Sequence, residues 1–471
     1  MADNKMRTEK KNLWILTEER PKTNVLEMIL SYFAKDKKCG FFGDNLRIIP
    51  LLDENKRFDF TYKVLGFSCA RVDNVYIKIV SGYSSFVDFL VFYQEAKPQE
   101  TDAPLYAIEE TKTDDKESRN TGVYQRCSKF VYLQNYYPNT KMIMLYALQI
   151  EQKTIPTETY IFGTRLLLTM GVDILGKKLS KEVFTPFTSI EELIECKNSM
   201  RLPPKGNIPI LIKKTTSKIQ VSGRLIKNNS LSHDPNIGAL SIIAAVLRRL
   251  GWKKTIEITQ HGLSQKQIKG NNKFIQIATK LDLKLQGLKL ESQKTYKDYW
   301  YYDLKGEKLA TIFLHIIVEN FTESFSVFEN HAGCEKGYFK TSDEEYIPLV
   351  KYTDREKYKE GDKKQIVYIP DLVLLDVKET EAITIEGKKY ELRKKAIAEL
   401  ENYKAFDTLY LKKYYSAFKI VRTVVLYGGK QETLQEIEVG FLLNASGKLV
   451  LGIKVPKLFK RAIKNLLDYW K

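Results

Sequence analysis

Acidic residues that begin or end apolar strands stand out in two regions of the chain, each with a lysine close by. In the C-terminal half, YIPDLVLLDVKETEAITIEGKKY places Asp371 at the start of one apolar segment and Glu386 and Lys388 at the end of the next. Asp371 and Glu386 are equally far from the centre of the polar turn at 376–381, which predicts that they lie opposite each other in an antiparallel hairpin. Lys388 follows Glu386 by two residues and returns to the same face of the strand.

Two carboxylates beside one ammonium group are suited to a reaction at phosphorus. Carboxylate oxygens are preferred ligands of Mg²⁺. Bound Mg²⁺ lowers the pKa of water and offsets the charge that grows on a phosphate. The ammonium group orients the attacking water and stabilises the transition state. The residue types and their spacing therefore indicate phosphodiester hydrolysis, with Mg²⁺ as the cofactor and Mn²⁺ as a substitute.

The N-terminal half contains a second set of the same residue types. The segment SSFVDFLVFY places Asp88 at the start of a strand, and PLYAIEETK places Glu110 and Lys112 at the end of the next. Asp88 and Glu110 are nearly equidistant from the loop centre near Pro98, which predicts that they face each other across the strand pair. The chain therefore carries two candidate sites of the same composition.

The triplet Glu-x-Lys carries little information by itself, because the chain is rich in both residues. The triplet at 95–97 has the right spacing, but it falls in a polar loop with prolines, away from the end of any buried strand. The discriminating feature is the complete order of an aspartate-led strand, a turn, a strand ending in Glu-x-Lys, a helix and a strand. A charged hairpin tip with solvated side chains is the alternative interpretation of either set.

The C-terminal set resembles the signature of the PD-(D/E)xK nucleases, the fold of most type II restriction endonucleases. PDLVLLD and IEGK match the signature, and a predicted helix at 390–405 and a predicted strand at 419–427 follow in the family's order. The N-terminal set departs from the signature at Val87, which replaces the proline. The resemblance implies that the four carboxylates bind the metal and that all six residues are catalytic: Asp88, Glu110, Lys112, Asp371, Glu386 and Lys388.

Composition indicates a folded protein that binds a polyanion. The 471 residues suffice for two or three domains, and 76 basic against 58 acidic residues give a net charge of +18, which favours nucleic acid as a partner. The five scattered cysteines include no CxxC pair, and no Walker-type glycine loop occurs, so neither zinc binding nor ATP-driven action is indicated. Without a membrane-spanning apolar run or a signal peptide, we expect a cytoplasmic protein of a prokaryote with no membrane contact.

We expect a mixed α/β (α+β) fold in three parts. Residues 1–200 and 301–471 should each form a PD-(D/E)xK module, a mixed sheet flanked by helices. Residues 201–300 should form a mainly helical segment that joins the modules and recognises DNA, since lysine, arginine, asparagine and glutamine dominate its polar positions. Two alternatives remain open for this segment: a DNA-recognition element similar to a helix-turn-helix, or a scaffold that only connects the two modules.

Two unlike modules in one chain imply an asymmetric enzyme, similar to type IIS enzymes with two active sites in one polypeptide. Such an enzyme would cut each strand of a non-palindromic double-stranded DNA sequence with a different site. We expect a monomer or weak homodimer, and a cognate DNA methyltransferase that is not a stable subunit. The alternatives are a restriction or repair nuclease with one active site whose other module binds DNA, and a non-catalytic nucleic-acid-binding protein.

Overall fold

A computed structural model describes most of the chain and divides it into two compact units. The first unit comprises Met1–Val80, Gln94–Ala96 and Tyr302–Lys471, and the second comprises Ser81–Tyr93 and Lys97–Tyr301. The three-part division at residues 200 and 300 differs from these units and stays a prediction. The described residues are 10–82, 86–111, 122–147, 157–176, 184–202, 208–227, 230–231, 235–268, 273–291, 299–302, 308–331, 337–430, 441–451 and 455–471.

Helices occur in both units. The α-helices of the described residues are α1 (Thr23–Asp36), α2 (Gly122–Tyr136), α3 (Glu158–Met170), α4 (Ile190–Ser199), α5 (Pro235–Arg249), α6 (Lys273–Lys280), α7 (Lys308–Phe321), α8 (Arg355–Lys359), α9 (Arg393–Glu399), α10 (Lys404–Phe406), α11 (Lys412–Tyr414) and α12 (Lys457–Tyr469). Short 3-10 helices cover Lys363–Gln365, Tyr390–Leu392 and Leu400–Tyr403, and a π-helix covers Asp407–Leu411.

Strands alternate with these helices, so the fold is mixed α/β, as expected. The strands are β1 (Lys11–Thr17), β2 (Phe41–Leu52), β3 (Phe58–Cys69), β4 (Val72–Ile79), β5 (Ser81–Gly82), β6 (Phe89–Tyr93), β7 (Tyr106–Thr111), β8 (Lys141–Tyr146), β9 (Asp173–Leu175), β10 (Ile212–Lys214), β11 (Lys218–Ser222), β12 (Ile226–Lys227), β13 (Ser230–Leu231), β14 (Thr255–Thr259), β15 (Leu283–Leu285), β16 (Trp300–Tyr301), β17 (Phe325–Glu329), β18 (Tyr338–Lys340), β19 (Tyr346–Pro348), β20 (Leu372–Asp376), β21 (Glu381–Lys389), β22 (Lys419–Tyr427), β23 (Phe441–Leu443) and β24 (Leu449–Leu451).

The first unit contains a sheet with the strand order β17-β20-β21-β22-β23-β24. The β20–β21 pair is antiparallel, whereas β21 and β22 run parallel. A parallel pair needs a crossover connection, and the helical segment 390–414 supplies it, with α9 packing on both strands. Its Tyr403 packs with Val424 and Leu426 in one hydrophobic cluster. The helix predicted at 390–405 and the strand predicted at 419–427 are both confirmed.

The first unit also contains the first four strands of the chain, in the order β2-β3-β4-β1. β2, β3 and β4 pair antiparallel, and β1 runs parallel to β4. Apolar residues recur at helical spacing over 24–35, which predicts a helix there. α1 confirms it, with Leu26, Ile29, Leu30 and Phe33 buried.

The second unit contains a sheet with the order β6-β7-β8-β9. β6 and β7 are antiparallel, and β7, β8 and β9 are parallel, with α2 connecting β7 to β8 and α3 connecting β8 to β9. α2 packs closely against α5, where Gly238 leaves no room for a side chain because a Cβ would collide with the carbonyl oxygen of Tyr124. The apolar run at 141–148 predicts a strand, and β8 confirms it over Lys141–Tyr146.

The described residues of the segment 201–300 are not mainly helical, so that prediction is wrong for them. Its described residues form a sheet with the order β10-β11-β14-β15, in which β11, β14 and β15 are parallel and α5 and α6 are the crossovers. The signal for these strands is short: in TIEIT, Ile256 and Ile258 are buried while their neighbours are partly exposed. Five alternating residues are easily missed beside long lysine-rich runs. Apolar residues at helical spacing over 237–250 predict a helix, and α5 confirms it.

Candidate active sites

In the first unit, Asp371, Glu386 and Lys388 form the C-terminal site. β20 begins directly after Asp371, and β21 carries Glu386 and Lys388 near its end. Leu372 lies opposite Ile385 in the antiparallel ladder, so the same register places Asp371 opposite Glu386. The amide of Asp371 donates to the carbonyl oxygen of Ile385 at 3.1 Å, so Asp371 stays hydrogen-bonded to β21 beyond the last pair of the ladder. The strand geometry therefore brings the two carboxylates to one face, as the sequence predicts.

Gly387 allows close packing between the two acidic residues. Its amide donates to Asp371 Oδ2 at 2.8 Å. A Cβ at this position would collide with Thr311 Oγ1 of α7 and would lie 3.1 Å from Asp371 Oδ2. Glycine at the middle of Glu-Gly-Lys therefore lets α7 approach the site and leaves the aspartate in place.

Lys388 is held among carboxylates. Its ammonium forms an ion pair with Glu386 Oε1 and lies 3.8 Å from Oε2 of Glu399 on α9. Burial works to lower the pKa of Lys388, but the hydrogen bond and charge of Glu386, with the charges of Asp371 and Glu399, outweigh it and raise the pKa. Lys388 is therefore an ammonium ion at neutral pH, and about a quarter of its side chain (23%) is exposed.

Tyr403 is a further residue of the C-terminal site that the sequence did not indicate. Its hydroxyl donates to Glu386 Oε2, so each carboxylate oxygen of Glu386 has a donor. Burial, the charge and hydrogen bond of Glu386 and the charge of Asp371 raise the pKa of Tyr403, which keeps the hydroxyl protonated. Tyr403 follows Glu386 by 17 residues, and no spacing rule connects an aromatic residue in a crossover helix with a strand glutamate.

In the second unit, Asp88 directly precedes β6 and lies next to β7. Phe89 lies opposite Ile108, so the same register places Asp88 opposite Glu109. The expected partner was Glu110, one residue further along. The amide of Glu110 donates to Asp88 Oδ2 at 2.6 Å, while adjacent residues of a strand point to opposite faces. Lys112 lies outside the described residues.

The register differs from the expected one because of the connection between the strands. Twelve residues separate β6 from β7, whereas four separate β20 from β21. Counting outward from the middle of a long, asymmetric loop leaves an error of one residue, and one residue exchanges the two faces of a strand. The tight turn of the C-terminal hairpin gives no such freedom.

Glu109 receives its ammonium partner from α2. Lys129 Nζ lies 2.8 Å from one carboxylate oxygen of Glu109 and 3.0 Å from the other. Arg126 Nε lies 3.7 Å from Glu109 Oε1 and donates to the carbonyl oxygen of Glu110 at 2.9 Å. Burial and the charge of Asp88 raise the pKa of Glu109 to about 7, against the opposite effects of Lys129 and Arg126. We call Asp88, Glu109 and Lys129 the N-terminal site.

A buried charge network lies next to the C-terminal site, where the amide of Asn330 donates to the carbonyl oxygen of Asp371 at 2.7 Å. His315 of α7 contacts His331 at 2.9 Å and Glu319 at 3.0 Å. Arg20 donates to Glu319 at 2.7 Å and to Glu329 at 3.1 Å. The ligand atoms of His315, Glu329 and His331 lie within 4.8 Å of one another, but the guanidinium of Arg20 already neutralises Glu329. The contacts are those of a structural ion-pair network.

Comparisons with protein-family models, with curated proteins and with solved structures each found no match to this chain. The described part of the chain contains no helix with the length and apolar character needed to cross a bilayer. The geometry of the two sites is therefore the basis for a functional proposal.

Proposed function

We propose that the chain is a Mg²⁺-dependent type II restriction endonuclease of the PD-(D/E)xK kind that cuts each strand of a non-palindromic double-stranded DNA sequence with a different site. One observation carries the proposal: the same arrangement of groups occurs twice. In each unit an aspartate precedes a strand, accepts from a backbone amide of the next strand, and lies opposite a glutamate that is paired with a lysine. A chance charged hairpin tip would not repeat these contacts.

The donor set of the C-terminal site fits a hard divalent cation. Asp371 and Glu386 lie opposite each other and offer carboxylate oxygens, and neither histidine nor cysteine takes part in this pair. Mg²⁺, when bound, supplies a water of lowered pKa and positive charge at the phosphate. Tyr403 and Lys388 fix the orientation of Glu386 from its two oxygens.

The remaining residues act on the substrate. In the hydrolysis, the oxygen of water bonds to phosphorus and the P–O bond to one sugar breaks. One proton of the water passes to the leaving oxygen, and the other goes to solvent. Lys388, an ammonium ion with three donors, would orient the water and stabilise the charge on the phosphate oxygens. The net charge of +18 supports binding to the DNA backbone.

The setting of the enzyme is part of the same proposal. A restriction endonuclease would act in the cytoplasm of a prokaryote beside a cognate methyltransferase that protects the host DNA. Two different sites in one chain make a monomer or weak homodimer sufficient, because no second copy is needed to cut the second strand.

Digestion of a sequenced plasmid tests the function. With Mg²⁺ or Mn²⁺ we expect discrete double-strand breaks at one non-palindromic sequence, mapped by run-off sequencing. EDTA should abolish cleavage, and Ca²⁺ should support binding without cleavage. Full cleavage in EDTA, or no cleavage of any DNA with Mg²⁺, would overturn the proposal.

One observation favours a second candidate, a nuclease with a single active site whose other module only binds DNA. Lys388 follows Glu386 by two residues, but Thr111 occupies that place after Glu109 in the N-terminal site. If no other ammonium served this site, only the C-terminal site would be active.

A further inference from the structure

We infer that the N-terminal site uses Glu109 as its glutamate and Lys129 of α2 as its catalytic lysine, in place of Glu110 and Lys112. The inference rests on the proposed nuclease function and adds the residues that would perform it in the second unit.

Strand register assigns the glutamate. Asp371 lies opposite Glu386, and the amide one residue beyond this glutamate donates to Asp371 Oδ2 at 2.8 Å. Asp88 lies opposite Glu109, and the amide one residue beyond this glutamate donates to Asp88 Oδ2 at 2.6 Å. Glu110 therefore occupies the place that Gly387 has in the other site, and its side chain belongs to the opposite face of β7.

Direct contact assigns the lysine. Lys129 Nζ lies within hydrogen-bond distance of both oxygens of Glu109, as Lys388 Nζ does for one oxygen of Glu386. The exposed fractions agree as well: 23% for each lysine side chain, and 4% and 7% for Glu109 and Glu386. Each ammonium can therefore reach a substrate phosphate, while its glutamate stays covered.

The position of Lys129 on α2 is consistent with the rest of the fold. In each site, the helical connection that follows the strand of the glutamate contacts that glutamate. In the C-terminal site this crossover supplies Tyr403 to Glu386 and Glu399 to Lys388. In the N-terminal site α2 supplies Lys129 to Glu109, and Arg126, one turn earlier, donates to the backbone at Glu110. Lysine from the crossover helix can thus replace lysine from the strand.

The role of Lys129 would be that of Lys388. Its ammonium would donate to the attacking water and to a non-bridging phosphate oxygen, which stabilises charge only as the P–O bond breaks. A purely structural ion pair with Glu109 is the competing role, and it predicts loss of folding instead of loss of rate.

The test uses the full chain with Asp371→Asn, which disables the C-terminal site and leaves nicking by the N-terminal site. In this background we expect Lys129→Met to slow nicking by about 100-fold, the usual effect of removing a transition-state donor. Lys112→Met should leave the rate within about threefold, because this inference gives Lys112 no part in the reaction. Glu109→Gln and Glu110→Gln form a second matched pair, in which only the former should abolish nicking.

Two measurements separate catalysis from structure. Lys129→Met should bind Mn²⁺ at least as tightly as its parent, because a positive charge next to the carboxylates is removed, whereas Asp88→Asn should lose that binding. Lys129→Arg keeps a positive charge beside Glu109, so this variant should fold. It should still nick, but more slowly than its parent. Loss of Mn²⁺ binding in Lys129→Met, together with full nicking by Lys129→Arg, would show a structural role and overturn the inference.

The outcomes also separate this inference from the proposed function. If the unmodified chain cuts both strands and Lys112→Met, not Lys129→Met, stops nicking, only the inference fails. Absence of nicking by the Asp371→Asn background also overturns it and favours the single-site candidate. If the unmodified chain cleaves no DNA with Mg²⁺, the proposed function itself fails.

Discussion

At the scale of single residues, the orientation of Glu386 depends on a hydroxyl group outside the Asp-Glu-Lys set. Tyr403→Phe removes the donor to Glu386 Oε2 and keeps the ring in its hydrophobic cluster. We expect the C-terminal site to nick about 10–100-fold more slowly, the usual effect of losing a group that orients a metal ligand. The rate is measured in chains with Asp88→Asn, in which the proposed function leaves only this site to cut.

Tyr410→Phe is the matched control for this prediction. Tyr410 belongs to the same helical segment, but its hydroxyl accepts from the amide of Val350 at 2.8 Å and has no contact with Glu386. Equal nicking rates for the Tyr403→Phe and Tyr410→Phe variants would mean that the hydroxyl of Tyr403 does not act on the site.

Gly387 gives a second prediction at this scale. Gly387→Ala places a Cβ against Thr311 Oγ1, and we expect a loss of about 1–3 kcal/mol in the free energy of unfolding, as for other overpacked sites. Thr311→Ala should restore much of this loss, because the colliding oxygen is removed. Thr311 Oγ1 is buried without a hydrogen-bond partner among the described residues, so Thr311→Ala alone should cost little. Urea denaturation of the two single variants and the double variant measures this, and additive losses would contradict the steric explanation.

The placement of Asp371, Glu386 and Lys388 could be predicted from the sequence, whereas the contact of Tyr403 with Glu386 could not. The residues of the N-terminal site could be predicted only in part. A four-residue turn leaves one register for Asp371 and Glu386. The twelve-residue connection near Asp88 does not, so Glu110 was expected where Glu109 lies. Lys129 follows Glu109 by 20 residues on another element, and only the packing of α2 on the sheet brings them together.

At the scale of elements, a buried charge network connects three parts of the first unit. Arg20 follows β1, His315 and Glu319 lie on α7, and Glu329 ends β17. Glu319 and Glu329 both have lowered pKa values: burial opposes this, but the charges of Arg20 and His315 outweigh it. Burial, followed by the charge of His315, holds the pKa of His331 well below 6.5. These three elements therefore depend on one set of charges.

This network predicts that acid destabilises the first unit. Below pH 6.5 the unfolded chain protonates His331 while the folded chain does not, so the stability that neutral His331 contributes is lost as the pH falls from 6.5 towards its folded pKa. Glu319 and Glu329 add a second loss below their ordinary value of 4.5, as the pH falls towards their lowered pKa values. In the second unit, Glu109 has the opposite pH dependence. Its pKa in the folded chain is raised to about 7, so its effect lowers the unfolding free energy as the pH rises from 4.5 towards 7.

The contribution of His331 is isolated by comparing His331→Gln with the unmodified chain at each pH. We expect the unmodified chain to lose more unfolding free energy than the variant between pH 7 and pH 5, as urea denaturation would show. Parallel pH profiles of the two proteins would mean that His331 is not buried in its neutral form.

At the scale of the whole molecule, the first unit joins the two ends of the chain. The indole of Trp470 donates to the carbonyl oxygen of Pro50 at 3.1 Å, and Phe58 packs on Phe313 with ring centroids 4.8 Å apart. Contacts between residues hundreds of positions apart leave no periodic signal in a single sequence. The sequence therefore predicted the local order of strands and helices around each acidic pair but divided the chain by position, without this association of its ends.

Strand-specific nicking distinguishes the two-site enzyme from the single-site candidate. Asp88→Asn and Asp371→Asn each replace a carboxylate by an amide of the same size whose oxygen can still accept from the neighbouring backbone amide, so both variants should fold. Under the proposed function, each variant lacks one carboxylate of the proposed metal site, in one unit only. If both sites act, each variant leaves open-circular plasmid, and sequencing places the two nicks on opposite strands of the same sequence.

If the N-terminal site is inactive, Asp88→Asn still produces full double-strand breaks and Asp371→Asn produces none. Cutting of both strands by one site then requires two copies of the chain, so the cleavage rate would rise more steeply than linearly with protein concentration. We expect two opposite nickases and a linear dependence, because the aspartate, glutamate and lysine contacts of the C-terminal site recur in the N-terminal site.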